Sequence, residues 1–138
     1  MLRCLIVDDD ELSRELLATQ LLEYATCDMA ANGNEGVEMF VAALATDHPY
    51  QVIFMDILMP GLDGHGAAKA IRKIEAHQGI LIDRGVDIII LSSLGTPHDV
   101  IQAYIAAQSA AHLVKPVRPE KLYKTLLALN LIESSTAD

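Results

Sequence analysis

The sequence predicts a doubly wound α/β fold, in which a parallel sheet of five strands carries helices on both faces. Short apolar runs alternate with longer stretches of helical periodicity along most of the chain. Three of these runs, within residues 5–7, 52–55 and 88–91, are continuously apolar, as expected for strands that are covered on both faces. The length of 138 residues fits one domain. We expect that domain to span residues 1–130 and a polar tail to occupy residues 131–138.

Each strand is predicted at an apolar run, and each is followed by a helix. The strands are expected at residues 2–7, 27–30, 52–55, 86–91 and 112–114. Apolar stripes at helical spacing mark the five helices: Leu12, Leu16, Leu17 and Leu21; Val37, Phe40, Val41 and Leu44; Ala67, Ala70, Ile71 and Ile74; Ile101, Tyr104 and Ile105; Leu122, Leu126 and Leu129. Asp10 is positioned to cap the first helix, and Pro119 to open the fifth. Five such units form a (βα)5 domain with right-handed crossovers.

Composition excludes several classes of function. Apolar residues make up 51% of the chain, as in a folded globular protein. Ten basic against nineteen acidic residues give a net charge of −9, so direct nucleic-acid binding is not expected. Neither a membrane-length apolar run nor a signal peptide is visible, so we expect a cytoplasmic protein without membrane association. Cys4 and Cys27 lack metal-ligand spacing and are expected to be buried, reduced thiols.

Reactive side chains follow four of the five predicted strands. Ligands of open α/β sheets bind at the carboxyl ends of the strands, where these side chains are expected to converge. They are, in chain order, Asp8, Asp9, Asp10, Asp56, Ser92 and Lys115. Clustered carboxylates repel one another, and a fold that keeps them together commonly binds a hard cation such as Mg2+. With a lysine and a hydroxyl beside it, such a site suits phosphoryl transfer to a carboxylate nucleophile.

Four segments at these strand ends carry a family resemblance: LIVDDDE, FMDILMPGLDG, IIILSS and LVKP. They resemble the motifs of the receiver (response regulator) domain of two-component signalling, in that family's order and over residues 2 to about 129. The resemblance implies the flavodoxin-like strand order 2-1-3-4-5, of which a receiver protein is a standard example.

The resemblance also assigns roles to residues. Asp56 is similar to the family's phosphoacceptor and Asp9 to its direct Mg2+ ligand. Asp8 would hold a metal-bound water, and the backbone carbonyl of Leu58 would complete the protein ligands. The metal set is therefore expected to be Asp8, Asp9, Asp56 and Leu58.

Ser92 resembles the hydroxyl that turns toward the phosphoryl group, and Lys115 its ion-pair partner, with Lys115-Pro116 expected as a cis peptide. Two features depart from the family. His112 stands where an aromatic switch residue is common, and residues 108–109 are Gln-Ser where Gly-Ala is usual.

The resemblance implies a phosphorylation-activated switch. A histidine kinase or histidine phosphotransfer protein would donate the phosphoryl group, and the fourth helix, fifth strand and fifth helix would signal to a downstream effector protein. The chain would catalyse only its own phosphoryl transfer and self-dephosphorylation, as a monomer or weak homodimer. Apolar Leu58 and Leu94, two residues beyond Asp56 and Ser92, predict slow hydrolysis.

Two alternatives remain open. Asp8 and Asp10 could be the nucleophile and general acid of a haloacid-dehalogenase-type phosphatase, with Ser92 and Lys115 in that family's order. That family needs a later strand ending in paired acidic residues, which the sequence does not offer. The chain could also be a receiver segment of a hybrid histidine kinase, although Met1 favours a complete single-domain protein.

Overall fold

The computed structural model describes residues 1–93, 95–99, 101–102 and 110–134. One parallel sheet contains β1 (Leu2–Val7), β2 (Ala25–Ala30), β3 (Val52–Asp56), β4 (Asp87–Ser92) and β5 (Ala111–Val114). Its strand order is β2-β1-β3-β4-β5. The predicted (βα)5 architecture and the flavodoxin-like order 2-1-3-4-5 are thereby confirmed.

Four helices connect and cover the strands of the described part. They are α1 (Glu11–Leu21), α2 (Gly33–Leu44), α3 (Gly64–His77) and a C-terminal helix (Pro119–Ala128), and a short 3-10 helix covers Ile82–Arg84. Most of the predicted fourth helix, including Tyr104 and Ile105, lies outside the described residues. Polar side chains accept hydrogen bonds from the first free amides of α1, α2 and α3. Asn32 caps α2 by accepting from the Glu35 amide at 2.8 Å.

Apolar layers cover both faces of the sheet, because successive side chains of a strand point to opposite faces. In β1, Leu5 and Val7 join the layer with Phe40 of α2, whereas Cys4 and Ile6 join the other layer. That second layer also contains side chains of α1 and of the C-terminal helix. Burial on both faces explains why residues 5–7 of β1, 52–55 of β3 and 88–91 of β4 are continuously apolar in sequence.

Two of the predicted apolar stripes include side chains that the structure leaves exposed. Leu12 and Leu16 of α1 are 62% and 55% exposed, so their expected place in the core is wrong. At ~100° per residue they lie on the opposite side of α1 from Leu17 and Leu21, which are buried. Val41 is likewise exposed, at the edge of the α2 stripe.

The chain continues to pack beyond the C-terminal helix. Leu131 and Ile132, which we placed in the polar tail, are half-buried against the layer that contains α1. The Leu131 amide also donates to the Leu126 carbonyl at 3.0 Å. Among the described residues, no helix combines the length and the apolar character that a bilayer span needs.

Candidate functional site

The three aspartates after β1 take different positions. Asp8 is buried, and its Oδ1 accepts a hydrogen bond from the Asp10 amide at 2.9 Å. The Arg14 guanidinium donates to the Asp8 carbonyl at 2.7 Å. Asp10 caps α1, as predicted, by accepting from the Ser13 amide and hydroxyl at 3.1 and 2.7 Å, and these bonds lower its pKa. Asp9 is exposed. Only Asp8 and Asp9 of this acidic run therefore remain available for a site.

Asp56 is the last residue of β3, and the following loop folds back over it. The Leu58 amide donates to Asp56 Oδ1 at 3.3 Å, while the Leu58 side chain is exposed. A side-chain carbon at Gly64 would overlap the Asp56 carbonyl, so a glycine is needed for α3 to begin here. Asp63 caps α3 by accepting from the Gly66 amide at 2.8 Å. The loop thus leaves the Asp56 carboxylate at the edge of the sheet, whereas the Asp63 carboxylate is used to cap α3.

Lys115 follows β5 and connects the two buried carboxylates. Its amide donates to the Ser92 carbonyl at 2.7 Å, which extends the β4–β5 pairing past the strand end. Its Nζ lies 2.6 Å from Asp8 Oδ2 and 3.1 Å from Asp56 Oδ2. The Lys115-Pro116 peptide is cis, as expected. One ammonium therefore neutralises part of the charge of two carboxylates from different strands.

The carboxylates form a compact oxygen cluster. One oxygen each of Asp8, Asp9 and Asp56 lies within 4.8 Å of the other two. Asp8 Oδ2 is buried, and the Lys115 ammonium lies beside it as its ion-pair partner. A hard divalent cation prefers such carboxylate oxygens. The residues present therefore fit a Mg2+ site, with an excess of negative charge that one lysine does not balance.

Charges in the cluster alter one another. Burial, together with the charge of Asp8, raises the pKa of Asp56 to about 6, although Lys115 acts against this rise. Burial lowers the pKa of Lys115, but contact with Asp8 and Asp56 outweighs burial and leaves that pKa raised. At neutral pH Asp56 is thus mostly ionised and Lys115 is protonated. An ionised carboxylate and a fixed ammonium are present together.

Ser92 is buried at the end of β4, and its hydroxyl is hydrogen-bonded to His112 Nε2 at 2.8 Å. Burial lowers the pKa of His112, which favours the neutral ring. Sequence reasoning noted His112 as a departure from the family and missed this contact. The contact depends on the β4–β5 register, in which Ser92 pairs with Val114 and His112 lies two residues before Val114 on β5.

The structure describes some of the remaining residues near the strand ends and not others. Ser93 is in a turn, where its amide donates to Thr96 Oγ1 at 3.2 Å. Leu94 and residues 108–109 lie outside the described residues, so their expected effects stay predictions. The amide of Leu58 approaches Asp56, but whether its carbonyl serves as a metal ligand also stays a prediction.

Comparison with known families decides what this arrangement is. The family model "Response regulator receiver domain" matches residues 4–127. This chain belongs to the receiver-domain family. Its resemblance to that family is thereby confirmed, and receiver domains bind Mg2+ at an acidic pocket such as the oxygen cluster described above.

Relatives of this receiver domain include two-component and chemotaxis proteins. The "Two-component response regulator ORR41" of Oryza sativa is 36% identical over 88% of this chain and 89% of its own length. The "Chemotaxis protein CheY" of Thermotoga maritima is 34% identical over 90% of this chain and 93% of its own length. A structure of chemotaxis protein CheY4 of Vibrio cholerae superposes with a TM-score of 0.73 at 27% identity and covers 94% of this chain and 98% of that one.

Other relatives are much longer than this receiver domain. It spans 42% to 47% of proteins named probable transcriptional regulator ycf27. It spans only 6% to 10% of several histidine kinases. Receiver domains therefore occur among its relatives both alone and as parts of larger signalling proteins.

Proposed function

We propose that this receiver domain is a phosphorylation-activated switch whose phosphoacceptor is Asp56. The donor is a phosphohistidine of a histidine kinase or of a histidine phosphotransfer protein. The observation that carries the proposal is the position of Lys115 Nζ, within 3.1 Å of oxygens of both Asp8 and Asp56. A lysine held there supplies positive charge where the transferred phosphoryl oxygens would be negative.

Asp56 acts as the nucleophile. Because its pKa of about 6 lies below neutral pH, its carboxylate is ionised and can attack the phosphorus. A bond forms between an Asp56 oxygen and phosphorus while the bond from phosphorus to the donor imidazole nitrogen breaks. The electron pair leaves with that nitrogen, so no further reactant is required.

Asp9 and Asp56, with the backbone carbonyl of Leu58, are proposed as direct Mg2+ ligands, and Asp8 as the holder of a metal-bound water. When bound, Mg2+ would offset the negative charge that accumulates on the phosphoryl oxygens. The oxygen cluster within 4.8 Å supports this assignment. Asp8 and Lys115 keep the pocket in place without the ion, since their contact is already made.

Ser92 would report the phosphoryl group to the rest of the molecule. Its hydroxyl is engaged with His112 at 2.8 Å, and turning toward a phosphoryl oxygen would release that ring. His112 lies on β5, at the proposed output surface formed by the predicted fourth helix, β5 and the C-terminal helix. A downstream effector protein would bind there, and the chain itself would act in the cytoplasm as a monomer or weak homodimer. It would catalyse no reaction beyond its own phosphorylation and dephosphorylation.

Intact-mass spectrometry tests the proposal with acetyl phosphate as the donor. Wild type should gain one phosphate in Mg2+ and none in EDTA, and Asp56→Asn should gain none. Asp10→Asn is the matched control, because it removes a charge from the neighbouring acidic run while asparagine caps a helix equally well. That control should be phosphorylated like wild type.

The haloacid-dehalogenase alternative predicts a different result. Phosphorylation that survives Asp56→Asn and is lost in Asp8→Asn would favour it and overturn the proposal. The structure weighs against it, because the Asp10 carboxylate is engaged by Ser13 as a helix cap.

A second context for the same chemistry is a receiver segment of a hybrid histidine kinase. The "Hybrid signal transduction histidine kinase F" of Dictyostelium discoideum supports it, since 74 residues match at 42% identity. The length of the encoding gene distinguishes the two contexts. An open reading frame with a kinase region would favour the hybrid protein.

A further inference from the structure

Cys4 and Cys27 are paired across β1 and β2. They occupy the same register position of these two parallel strands. Both side chains contact the apolar layer that contains α1 and the C-terminal helix, so they lie on the same face of the sheet. No sequence motif connects the two cysteines, which are separated by 22 residues.

The spacing of neighbouring strands suits a disulfide. Adjacent strands lie ~4.8 Å apart, and the Cα atoms of disulfide-bonded cysteines are usually ~4.4 to 6.8 Å apart. The thiols already interact: a hydrogen bond with Cys4 lowers the pKa of Cys27, and burial raises the pKa of Cys4. Neither cysteine is in a disulfide in this structure.

The two thiols differ in access. Cys4 is fully buried, whereas Cys27 is half-buried, which corrects our expectation of two buried thiols. A thiol must be both ionisable and reachable to react with an oxidant in solution. Cys27 is the more accessible of the two thiols, and its contact with Cys4 lowers its pKa, whereas Cys4 is buried beside it.

We propose that Cys27 and Cys4 form a peroxide-sensitive thiol pair, in which Cys27 is oxidised first and Cys4 then closes an intramolecular disulfide between β1 and β2. The pair is independent of the acidic site, since Cys4 precedes Asp8 by four residues, or ~13 Å of strand. It would make the domain respond to hydrogen peroxide or another peroxide.

The chemistry needs two steps and one peroxide molecule. The Cys27 thiolate attacks one peroxide oxygen and the O–O bond breaks, which gives a sulfenic acid and, after protonation, water. The Cys4 sulfur then attacks the Cys27 sulfur, the S–O bond breaks, and the departing hydroxide takes the Cys4 proton as a second water. Two thiols and hydrogen peroxide thus become one disulfide and two waters.

Mass spectrometry of the native, reduced chain tests this proposal. After brief treatment with hydrogen peroxide, the protein is denatured in N-ethylmaleimide, weighed and digested. The expected product has lost two hydrogen atoms, takes up no maleimide, and yields a linked peptide pair that contains Cys4 and Cys27. Wild type that still binds two maleimides, or that forms disulfide-linked dimers, would overturn the proposal.

Two serine variants, checked for folding by circular dichroism, separate the steps. In Cys4→Ser, Cys27 should stop at the sulfenic acid and be trapped by dimedone. In Cys27→Ser, Cys4 should resist the same peroxide dose and bind one maleimide after denaturation. A Cys4 that reacts as fast as Cys27 would contradict the assigned order. A link that forms only in urea would show that the native register is not its cause.

Discussion

Two polar clusters contact the sheet at different places, and they differ in the ratio of carboxylates to cations. The closed cluster consists of Arg3, Asp28 and Tyr50. The Tyr50 hydroxyl donates to Asp28 Oδ2 at 2.7 Å, and Arg3 lies 3.3 Å from the same oxygen. The Arg3 guanidinium also lies 5.0 Å from the centre of the Tyr50 ring. One carboxylate, one cation and one hydroxyl satisfy one another here.

The open cluster, formed by Asp8, Asp9, Asp56 and Lys115, has the same kinds of group in a different ratio. Three carboxylates share one ammonium, which lies 2.6 Å from the buried Asp8 Oδ2 and 3.1 Å from Asp56 Oδ2. In the closed cluster a carboxylate stabilises the fold, whereas here the carboxylates repel one another. An unbalanced cluster at the carboxyl edge of a parallel sheet is therefore a site for a cationic ligand, and a balanced one is structural.

Replacing the cation should produce the largest difference in stability between the two clusters. Lys115→Met leaves Asp8 buried without its counter-ion and should lower the free energy of unfolding by ~3 kcal/mol without metal. Arg3→Met breaks a partly exposed pair and should cost ~1 kcal/mol or less. Urea denaturation in EDTA measures both. Equal losses would mean that the two clusters do not differ as described.

Removing one carboxylate should have opposite effects in the two clusters. A rise in the pKa of Asp56 from 3.8 to about 6 corresponds to ~3 kcal/mol at most, and solvent at the rim of the pocket screens part of it. Asp56→Asn should therefore stabilise the metal-free protein by ~1 to 3 kcal/mol at neutral pH. Asp28→Asn should destabilise it by ~1 kcal/mol, because the Arg3 ion pair is lost.

Saturating Mg2+ should shrink the advantage of Asp56→Asn, since wild type binds the ion more tightly. Denaturation of the same proteins in Mg2+ is the comparison. An Asp56→Asn variant that is less stable than wild type in EDTA would show that the carboxylates do not repel as argued.

The pH dependence of stability gives a finer test of the same repulsion. Because the folded pKa of Asp56 lies above its unfolded value, its stabilising contribution is complete below pH 3.8 and is lost as pH rises through about 6. Asp56→Asn lacks this group. In EDTA, the amount by which the free energy of unfolding of Asp56→Asn exceeds that of wild type should therefore grow by ~1 kcal/mol between about pH 5 and about pH 7. An advantage that does not change over this range would contradict the raised pKa.

Much of the open cluster could be predicted from the sequence, because a continuous apolar run shows where its strand ends. Asp56 directly follows such a run, and so does Asp8, and parallel strands bring their carboxyl ends to one edge. Asp10 could be assigned to the cap for a local reason, its place before a helix. The closed cluster has no comparable signal, since Arg3 and Tyr50 are far apart in sequence.

Contacts that depend on register and on helix rotation could not be predicted in the same way. The Ser92–His112 hydrogen bond needs the β4–β5 register, and the facing thiols need that of β1 and β2. The exposure of Leu12 and Leu16 depends on which side of α1 meets the sheet. Periodicity shows that α1 has apolar residues at helical spacing. It does not show whether the side with Leu12 and Leu16 or the side with Leu17 and Leu21 packs against the sheet.

The smallest expected effect concerns Leu58, two residues beyond Asp56. The Leu58 side chain is 61% exposed beside Asp56, and it cannot orient a water for attack on a phosphoryl group. Leu58→Asn supplies an amide that can, so self-dephosphorylation should accelerate by ~3-fold to 10-fold, at most ~1.4 kcal/mol of barrier. Leu81→Asn is the control, because Leu81 is equally exposed, at 65%, in the connection before β4. The decay of phosphorylated protein after removal of acetyl phosphate, followed by intact mass, gives the three rates. If Leu58→Asn decays no faster than Leu81→Asn, water access to this cluster does not depend on the residue two positions beyond Asp56.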